Sequence, residues 1–335
     1  MYLVHNLSFV KLVKEMKKPV FKLFIFLLLS LSASSYLLAE PEVPWPATLS
    51  IPDPVPDNCI TSPRKGTVDL KCDGLLFTLH VPEVCLKKAC GLIVDIHGYL
   101  MTADLQNYYT DLAKRGGNEG YIVIQPTANK GSYGRSWEYR VDNVSKIFSF
   151  MNRVKKVFHV MEERVHVTGF SQGSWMSWRF VCDYAEHIAS AAPIGFGAGW
   201  PVNFKAPVRI NVFDNCFKGR QIDVLYAHGK KDGLVHYSGA LKTVKKIGED
   251  WNLTDAEVLF KDEDYQRVRF TNDQGTVFEF ISYSWVSKGS NSSFLGNPEG
   301  HCFPGVGNYL GCGRNNPFHW GDEVVKFFLE HPKEP

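Results

Sequence analysis

The sequence RVHVTGFSQGSWMSWRFVCDY, residues 164–184, combines a strand, a tight turn and a helix. Its first five residues are the short β-branched and apolar run of a buried strand, and its last eleven have helical apolar spacing. Between them lies a G-x-S-x-G motif at 169–173, which in this setting forces the serine into a strained turn above the edge of a sheet. A glycine-rich turn that caps the helix with Ser171 is the alternative. The flanking strand and helix favour Ser171 as a nucleophile.

Strands and helices alternate on both sides of this segment. Strand patterns cover 67–71, 75–81, 91–96, 121–125, 164–168, 188–194, 222–227 and 276–284, and 265–270 forms a further hairpin with the last of them. Helical patterns cover 105–114, 141–158, 174–184, 238–249 and 321–330. An initial hairpin followed by this alternation predicts an α/β fold, with a predominantly parallel sheet of eight strands and helices on both faces.

A nucleophilic serine needs a general base, and the base needs an acid that orients it. In this architecture the acid and then the histidine follow the serine along the chain, on loops after later strands. Asp232, in HGKKDGLV, follows the strand at 222–227, although an aspartate before glycine can also simply form a turn. His301, in PEGHCFPG, follows the last strand, whereas the rival His319 immediately precedes the terminal helix. The order predicts Asp232 as acid and His301 as base.

Two backbone N–H groups are expected to stabilise the oxyanion that forms during acyl transfer. One is the N–H of Gln172, directly after the nucleophile. The other lies on the loop after the strand at 91–96, and we assign it to Tyr99. His97 on the same loop is expected to be structural.

Aromatic residues near the predicted site are candidates for substrate selection. Trp200 and Phe196 follow the strand after the elbow helix and are predicted to line a pocket that favours an aromatic or extended acyl group. Plain core packing is the alternative, and it is the expectation for Trp137, Trp175 and Trp178.

The N-terminus predicts export. Lys14, Lys17 and Lys18 precede an apolar run at 23–31 and then small residues, as in a cleaved signal at 1–39. An uncleaved anchor at 22–39 is the alternative, and translation could begin at Met16. Residues 40–58 contain six prolines and are predicted to be an extended leader, which leaves 59–335 as the catalytic domain.

Charge and ligand patterns exclude several classes of function. Residues 1–39 hold five Lys and one Glu, so the remaining chain has 32 basic and 34 acidic residues and a net charge of −2. The lysine pairs are scattered, so no nucleic-acid surface is expected. We predict no cofactor and no metal, because paired C-x-x-C or H-x-x-x-H spacing is absent from the sequence.

Eight cysteines follow the predicted signal, which indicates disulfides in an exported chain. Many pairings are compatible with the sequence. The working hypothesis joins sequence neighbours: Cys59 with Cys72, Cys85 with Cys90, Cys182 with Cys216, and Cys302 with Cys312.

Several motifs together resemble those of the polyhydroxybutyrate depolymerase and feruloyl esterase family of α/β-hydrolases. They are IHGY at 96–99, SWEYRVDN at 136–143, the elbow segment, YAHGKKDGLVHY at 226–237 and GHCFPG at 300–305. The resemblance implies Ser171, Asp232 and His301 as the triad, and it supports a Cys182–Cys216 disulfide. This sequence has Gln172 where the family often has Asn, which matters little if the backbone donates. It also has Asp95 in a strand that is normally apolar.

The sequence therefore predicts a secreted or periplasmic serine esterase that works through an acyl-enzyme. Feruloyl, acetyl or short hydroxyacyl esters are the expected substrates, as small molecules or oligomers. We expect a monomer with no stable membrane insertion after signal cleavage. A peptidase of the same fold and a non-catalytic binding protein are the alternatives.

Overall fold

The computed structural model describes residues 55–131, 134–137, 142–197, 216–217, 219–287, 299–307, 309–313 and 316–334. The predicted signal at 1–39, most of the predicted leader and Trp200 lie outside these residues.

Ten of the described strands form one mixed sheet, in the order β1-β2-β4-β3-β7-β8-β9-β12-β11-β10, and two short strands pair separately as β5-β6. In chain order the strands are β1 Gly66–Cys72, β2 Leu75–Val81, β3 Cys90–Ile96, β4 Tyr121–Thr127, β5 Lys130–Gly131, β6 Gly134–Arg135, β7 Val160–Phe170, β8 Ser190–Ile194, β9 Asp223–Gly229, β10 Asp255–Lys261, β11 Tyr265–Thr271 and β12 Val277–Tyr283.

The six central strands are parallel, and two strands at each edge run antiparallel to their neighbours. The α/β class and the mostly parallel sheet are therefore confirmed, but the predicted count of eight strands is too low. The sequence predicts β11 only as the hairpin partner of β12, and it does not predict β10. β10 is an edge strand whose side chains are mostly exposed, so its sequence lacks the apolar pattern that marks a strand.

Six α-helices among the described residues flank the sheet. They are α1 Ala103–Thr110, α2 Leu112–Asn118, α3 Asn143–Val157, α4 Gln172–Asp183, α5 Tyr237–Asp250 and α6 Trp320–Glu330. The sequence predicts one helix over 105–114, but the chain breaks at Asp111, which has a left-handed φ of 52°. The Asn107 side chain accepts a hydrogen bond from the Ala113 N–H at 3.0 Å and so supports the start of the second helix.

Asp95, which the sequence leaves unexplained, is a fully buried carboxylate in the middle of the sheet. It accepts hydrogen bonds from Gln106 Nε2 at 2.7 Å and Thr110 Oγ1 at 2.8 Å, both on α1. Gln125 Nε2 on the neighbouring strand β4 donates a third at 2.8 Å. These bonds satisfy a charge that would otherwise be costly in the core, and they attach α1 to the sheet.

The ionisation of Asp95 is expected to lower the stability of the protein. Burial raises its pKa from 3.8 to about 6, although its three hydrogen bonds act in the opposite direction. Between pH 4 and 6 the folded state then binds more protons than the unfolded state. The protonated Asp95 carboxyl therefore favours the folded state at low pH, and this stabilisation is lost as pH rises through 6. The loss for such a pKa difference is about 3 kcal/mol.

We expect Asp95→Asn to abolish this pH dependence, because the amide keeps the side chain's shape and does not titrate. The measurement is the urea-unfolding free energy of both proteins from pH 4 to 7. Wild type should lose about 2.4 kcal/mol relative to the variant across that range. Parallel pH curves would show that Asp95 does not titrate there.

Four disulfides are formed: Cys59–Cys72, Cys85–Cys90, Cys182–Cys216 and Cys302–Cys312. These are the pairs of sequence neighbours that the working hypothesis joins. Among the described helices, none has the length and apolar character needed to cross a membrane.

Candidate active site

Ser171 lies in a sharp turn between β7 and α4. Its φ of 53° and ψ of −118° are strained for a residue with a side chain, and such strain is typical of functional positions. Its N–H donates to the carbonyl of Ile194 at 2.9 Å, which fixes the turn to β8. Within α4, every residue of which the structure describes, no N–H is capped by the Ser171 hydroxyl. The geometry therefore differs from that of a simple helix-capping serine.

Two glycines allow this turn to pack tightly. A Cβ on Gly173 would overlap the carbonyl oxygen of Ile96 at the end of β3, and one on Gly169 would overlap the backbone of Gly173. The motif's glycines thus bring the start of α4 directly against the strand that leads to the predicted oxyanion loop.

Asp232 and His301 are brought together although they are far apart in the chain. Asp232 lies in the turn after β9, His301 lies on the loop after β12, and His301 Nδ1 is 2.6 Å from Asp232 Oδ2. Asp232 Oδ1 accepts from the N–H groups of Leu234 at 2.9 Å and Val235 at 2.8 Å. Burial acts to raise the pKa of Asp232, but the charge and hydrogen bond of His301, together with His228 and the Val235 N–H, outweigh it and lower that pKa. The carboxylate is therefore ionised and oriented toward the imidazole.

The imidazole of His301 lies beside the elbow. Its ring centroid is 4.7 Å from that of Phe170, the residue before Ser171. Its Cε1 lies 3.5 Å from the position that a Cβ on Gly195 would occupy. Gly195 directly follows Ile194, the residue that accepts the Ser171 N–H. His301 is thus positioned between the acid and the serine turn.

The rival His319 caps a helix. It is the residue before α6, and its Nδ1 accepts a hydrogen bond from the Gly321 N–H at 3.1 Å. Burial lowers its pKa to about 4, so it is neutral at physiological pH. Its role is structural, as expected for a histidine immediately before the terminal helix.

His228 is a buried neighbour of the acid. Its Nε2 lies 2.7 Å from the Val235 carbonyl oxygen and 3.4 Å from Asp232 Oδ2. The Val235 carbonyl can only accept, so Nε2 carries the proton and Nδ1 accepts from the Tyr226 hydroxyl at 3.0 Å. Burial lowers the pKa of His228. This neutral imidazole adds an N–H group beside the carboxylate.

The predicted oxyanion donors lie on two adjoining segments. Gln172 is the first residue of α4, and the first N–H groups of a helix have no acceptor within it. Tyr99 follows His97 and Gly98 at the end of β3. A Cβ on Gly98 would lie 3.1–3.2 Å from atoms of Phe170, so this loop packs against the elbow.

His97 is a structural residue of that loop. Its Nε2 accepts from the Ala128 N–H at 2.9 Å, so the proton is on Nδ1, which lies 2.6 Å from the Gly98 carbonyl oxygen. Burial lowers its pKa to about 4. A neutral histidine with both nitrogens in use is suited to holding the loop rather than to proton transfer.

The side chain of Gln172 has a role that sequence reasoning missed. Its amide oxygen accepts from the Trp137 N–H at 2.8 Å, and its amide nitrogen donates to the Trp137 carbonyl at 3.0 Å. The Gln172 side chain is thus fixed in place as well as its backbone, through contacts that the sequence does not predict. A polar residue in the buried start of a helix was the available signal, but its partner is 35 residues away in the chain.

The predicted pocket residues are placed only in part. Phe196 is buried, and its carbonyl accepts from Ser174 Oγ at 3.0 Å and Trp178 Nε1 at 2.9 Å. Trp200 lies outside the described residues, so a pocket formed with it stays a prediction. Trp137, Trp175 and Trp178 are buried, as core packing requires. In the part of the chain that the structure describes, no group of three or more His, Cys, Asp or Glu residues is arranged to hold a metal ion.

Comparison with known proteins finds esterases. The chain is 27% identical over 162 residues to feruloyl esterase B of Piromyces equi, a match that covers 47% of this chain and 29% of the relative. It is 22% identical over 147 residues to a bifunctional acetylxylan esterase/xylanase of Neocallimastix patriciarum, covering 44% of this chain and 20% of the relative. The chain thus spans less than a third of either relative. No protein-family model matches the sequence.

The architecture matches that of a solved esterase structure. The acetyl xylan esterase from Aspergillus awamori superimposes with a TM-score of 0.57 and 16% identity, over 79% of this chain and 99% of that one. At this identity the likeness establishes the fold alone. The chain therefore has the α/β-hydrolase fold, and in sequence it is similar to feruloyl and acetylxylan esterases, as its motifs predict.

Proposed function

We propose that this protein hydrolyses carboxylic esters, with Ser171 as nucleophile, His301 as general base and Asp232 as the orienting acid. The observation that carries the proposal is the strained Ser171 turn beside a buried His301–Asp232 pair, whose Nδ1–Oδ2 distance is 2.6 Å. A serine hydroxyl becomes an effective nucleophile when such a pair removes its proton. The order of the three residues along the chain is that of α/β-hydrolases.

The proposed reaction has two stages. The Ser171 hydroxyl attacks the ester carbonyl while His301 Nε2 takes its proton, and the resulting oxyanion accepts hydrogen bonds from the Gln172 and Tyr99 N–H groups. His301 then protonates the departing alcohol, which leaves an acyl group on Ser171. In the second stage His301 removes a proton from water, the hydroxide attacks the acyl group, and the acid is released as Ser171 regains its proton.

Feruloyl, acetyl and short hydroxyacyl esters are the proposed substrates. The support is the similarity to a feruloyl esterase and to an acetylxylan esterase. The matches cover less than a third of those proteins, and the relative rates of ester hydrolysis identify the preferred acyl group. We also propose that the protein is a monomer in the periplasm or outside the cell. Four disulfides favour an oxidising compartment of this kind.

The test is hydrolysis of matched esters by the oxidised protein. The panel is 4-nitrophenyl acetate, 4-nitrophenyl butyrate, methyl ferulate and a soluble hydroxybutyrate oligomer, with a 4-nitroanilide peptide as the comparison for peptidase activity. We expect turnover of esters, and the ester with the highest kcat/KM identifies the preferred acyl group. A folded protein that cleaves only the anilide would identify a peptidase. One that cleaves nothing and resists a fluorophosphonate would identify a binding protein.

A further inference from the structure

The carboxamide of Gln172 is paired with the main chain of Trp137 at both its ends. The amide oxygen accepts the Trp137 N–H at 2.8 Å, and the amide nitrogen donates to the Trp137 carbonyl at 3.0 Å. The same nitrogen is 3.0 Å from the Ser136 hydroxyl. This two-bond arrangement resembles the pairing between neighbouring strands, and it restricts both the distance and the rotation of residue 137 relative to the elbow.

Trp137 extends this constraint to the predicted oxyanion loop. Its indole Nε1 donates to the carbonyl of His97 at 2.8 Å, and the two rings lie 4.8 Å apart. The Trp137 side chain is fully buried, so its position is set by packing as well as by hydrogen bonds. His97 is two residues before Tyr99. A continuous series of contacts therefore joins Gln172, which supplies one oxyanion donor, to the loop that supplies the other.

Packing alone does not account for a glutamine at this position. Gly173 and Gly98 already set the closest approach of the elbow and the loop, since a Cβ at either glycine would meet the opposing segment. Those contacts resist compression but do not prevent the loop from moving away. A buried amide is costly unless it is fully hydrogen-bonded, and here it uses both its donor and its acceptor on the main chain of one residue. The amide supplies the attraction that the glycine contacts lack.

We propose that Gln172 and Trp137 are positioning residues of the oxyanion hole, which hold the Tyr99 N–H at a fixed distance from the Gln172 N–H. The inference rests on the proposed esterase function and adds a role for two side chains to it. An asparagine at 172 is shorter by one C–C bond and cannot reach both atoms of the Trp137 main chain from the same backbone position. Glutamine is therefore required by the geometry of this chain.

The experiment compares three variants with wild type. Gln172→Met keeps the length of the side chain and removes both hydrogen bonds, Gln172→Asn keeps the amide and shortens its reach, and Trp137→Phe removes the indole N–H. We expect each to lower kcat by about 10- to 100-fold, because displacing a reacting group by about 1 Å has an effect of that size. KM should change by less than about threefold, since substrate binding does not use the oxyanion contact.

Affinity for a boronic acid distinguishes positioning from a merely structural role. A boronic acid adds to Ser171 and places a tetrahedral oxygen in the oxyanion hole, whereas the carboxylic acid product does not require that geometry. The inhibition constant of phenylboronic acid should rise by the same factor as kcat falls, while product inhibition stays unchanged. Gln221→Met is the control. Gln221 lies just before the amino end of β9, whereas the proposed site lies at the carboxyl ends of the parallel strands. Its amide oxygen accepts a hydrogen bond from Asn272 at 2.7 Å.

The outcomes separate this inference from the proposed function. An active wild type whose variants keep normal kcat, or lose kcat without losing boronic acid affinity, would overturn the positioning role and leave the esterase intact. A wild type without ester turnover or serine labelling would overturn the function itself. Thermal unfolding of every variant shows which losses come from reduced folding.

Discussion

Replacing Ser171 with alanine is expected to reduce kcat/KM for every ester by at least about 10⁴-fold. The variant lacks the oxygen that attacks the ester in the proposed reaction, so no acyl-enzyme can form. The remaining activity would come from substrate binding and the oxyanion donors alone. Removing the side chain is not expected to unfold the turn, because the Ser171 N–H still donates to Ile194. The measurement is steady-state hydrolysis, with fluorophosphonate labelling as a second readout.

Ser177→Ala is the matched control for this loss. Ser177 is buried in the same helix, and its hydroxyl donates to the Gly173 carbonyl at 3.0 Å rather than facing the predicted site. We expect its kcat/KM within about threefold of wild type, as for a substitution that removes one local hydrogen bond. A Ser171→Ala protein that retains more than about one per cent of wild-type activity would assign the chemistry to another residue.

The centre of the sheet was predictable because strands buried on both faces show continuous apolar runs. The edge was not. Asp255–Lys261 presents mostly exposed side chains, and its place in the sheet depends on pairing with Tyr265–Thr271 rather than on its own composition. The helix break at Asp111 was also not predictable, because no glycine or proline marks that position in the sequence. Aspartate can itself adopt the left-handed conformation. The hydrogen bond from the Ala113 N–H to the Asn107 side chain, which supports the start of the second helix, forms only in the folded chain.

The three residues of the proposed triad each have a local signal in the sequence. Ser171 has its glycines and flanking elements, while Asp232 and His301 each follow a strand whose carboxyl end must lie at the same edge of the sheet. The pairing of Gln172 with Trp137 has no such signal, since neither residue belongs to a motif that specifies the other. The same holds for Asp95, whose three donors come from α1 and β4. Long-range polar contacts depend on tertiary geometry that periodicity does not encode.

Replacing Asp232 with asparagine is expected to lower kcat by about 10³- to 10⁴-fold while leaving the fold intact. Oδ1 of Asp232 accepts from the Leu234 and Val235 N–H groups, and the asparagine oxygen can keep both bonds. These bonds fix the orientation of the new amide, so its NH₂ group faces His301 Nδ1. Because the NH₂ group can only donate, His301 Nδ1 must accept its hydrogen bond, and the imidazole proton moves to Nε2. The proton then occupies the nitrogen that should receive the proton of Ser171.

Asp262→Asn is an unusually close control for this prediction. Asp262 Oδ1 accepts from the N–H groups of Asp264 at 2.8 Å and Tyr265 at 2.7 Å, two and three residues ahead, just as in the turn at Asp232. It is exposed, and its turn carries no histidine of the predicted triad. The two substitutions therefore change the same kind of turn, and only Asp232→Asn changes the tautomer of His301. Equal kcat values for both variants would mean that Asp232 acts as a turn former, and the orienting acid would have to be sought elsewhere.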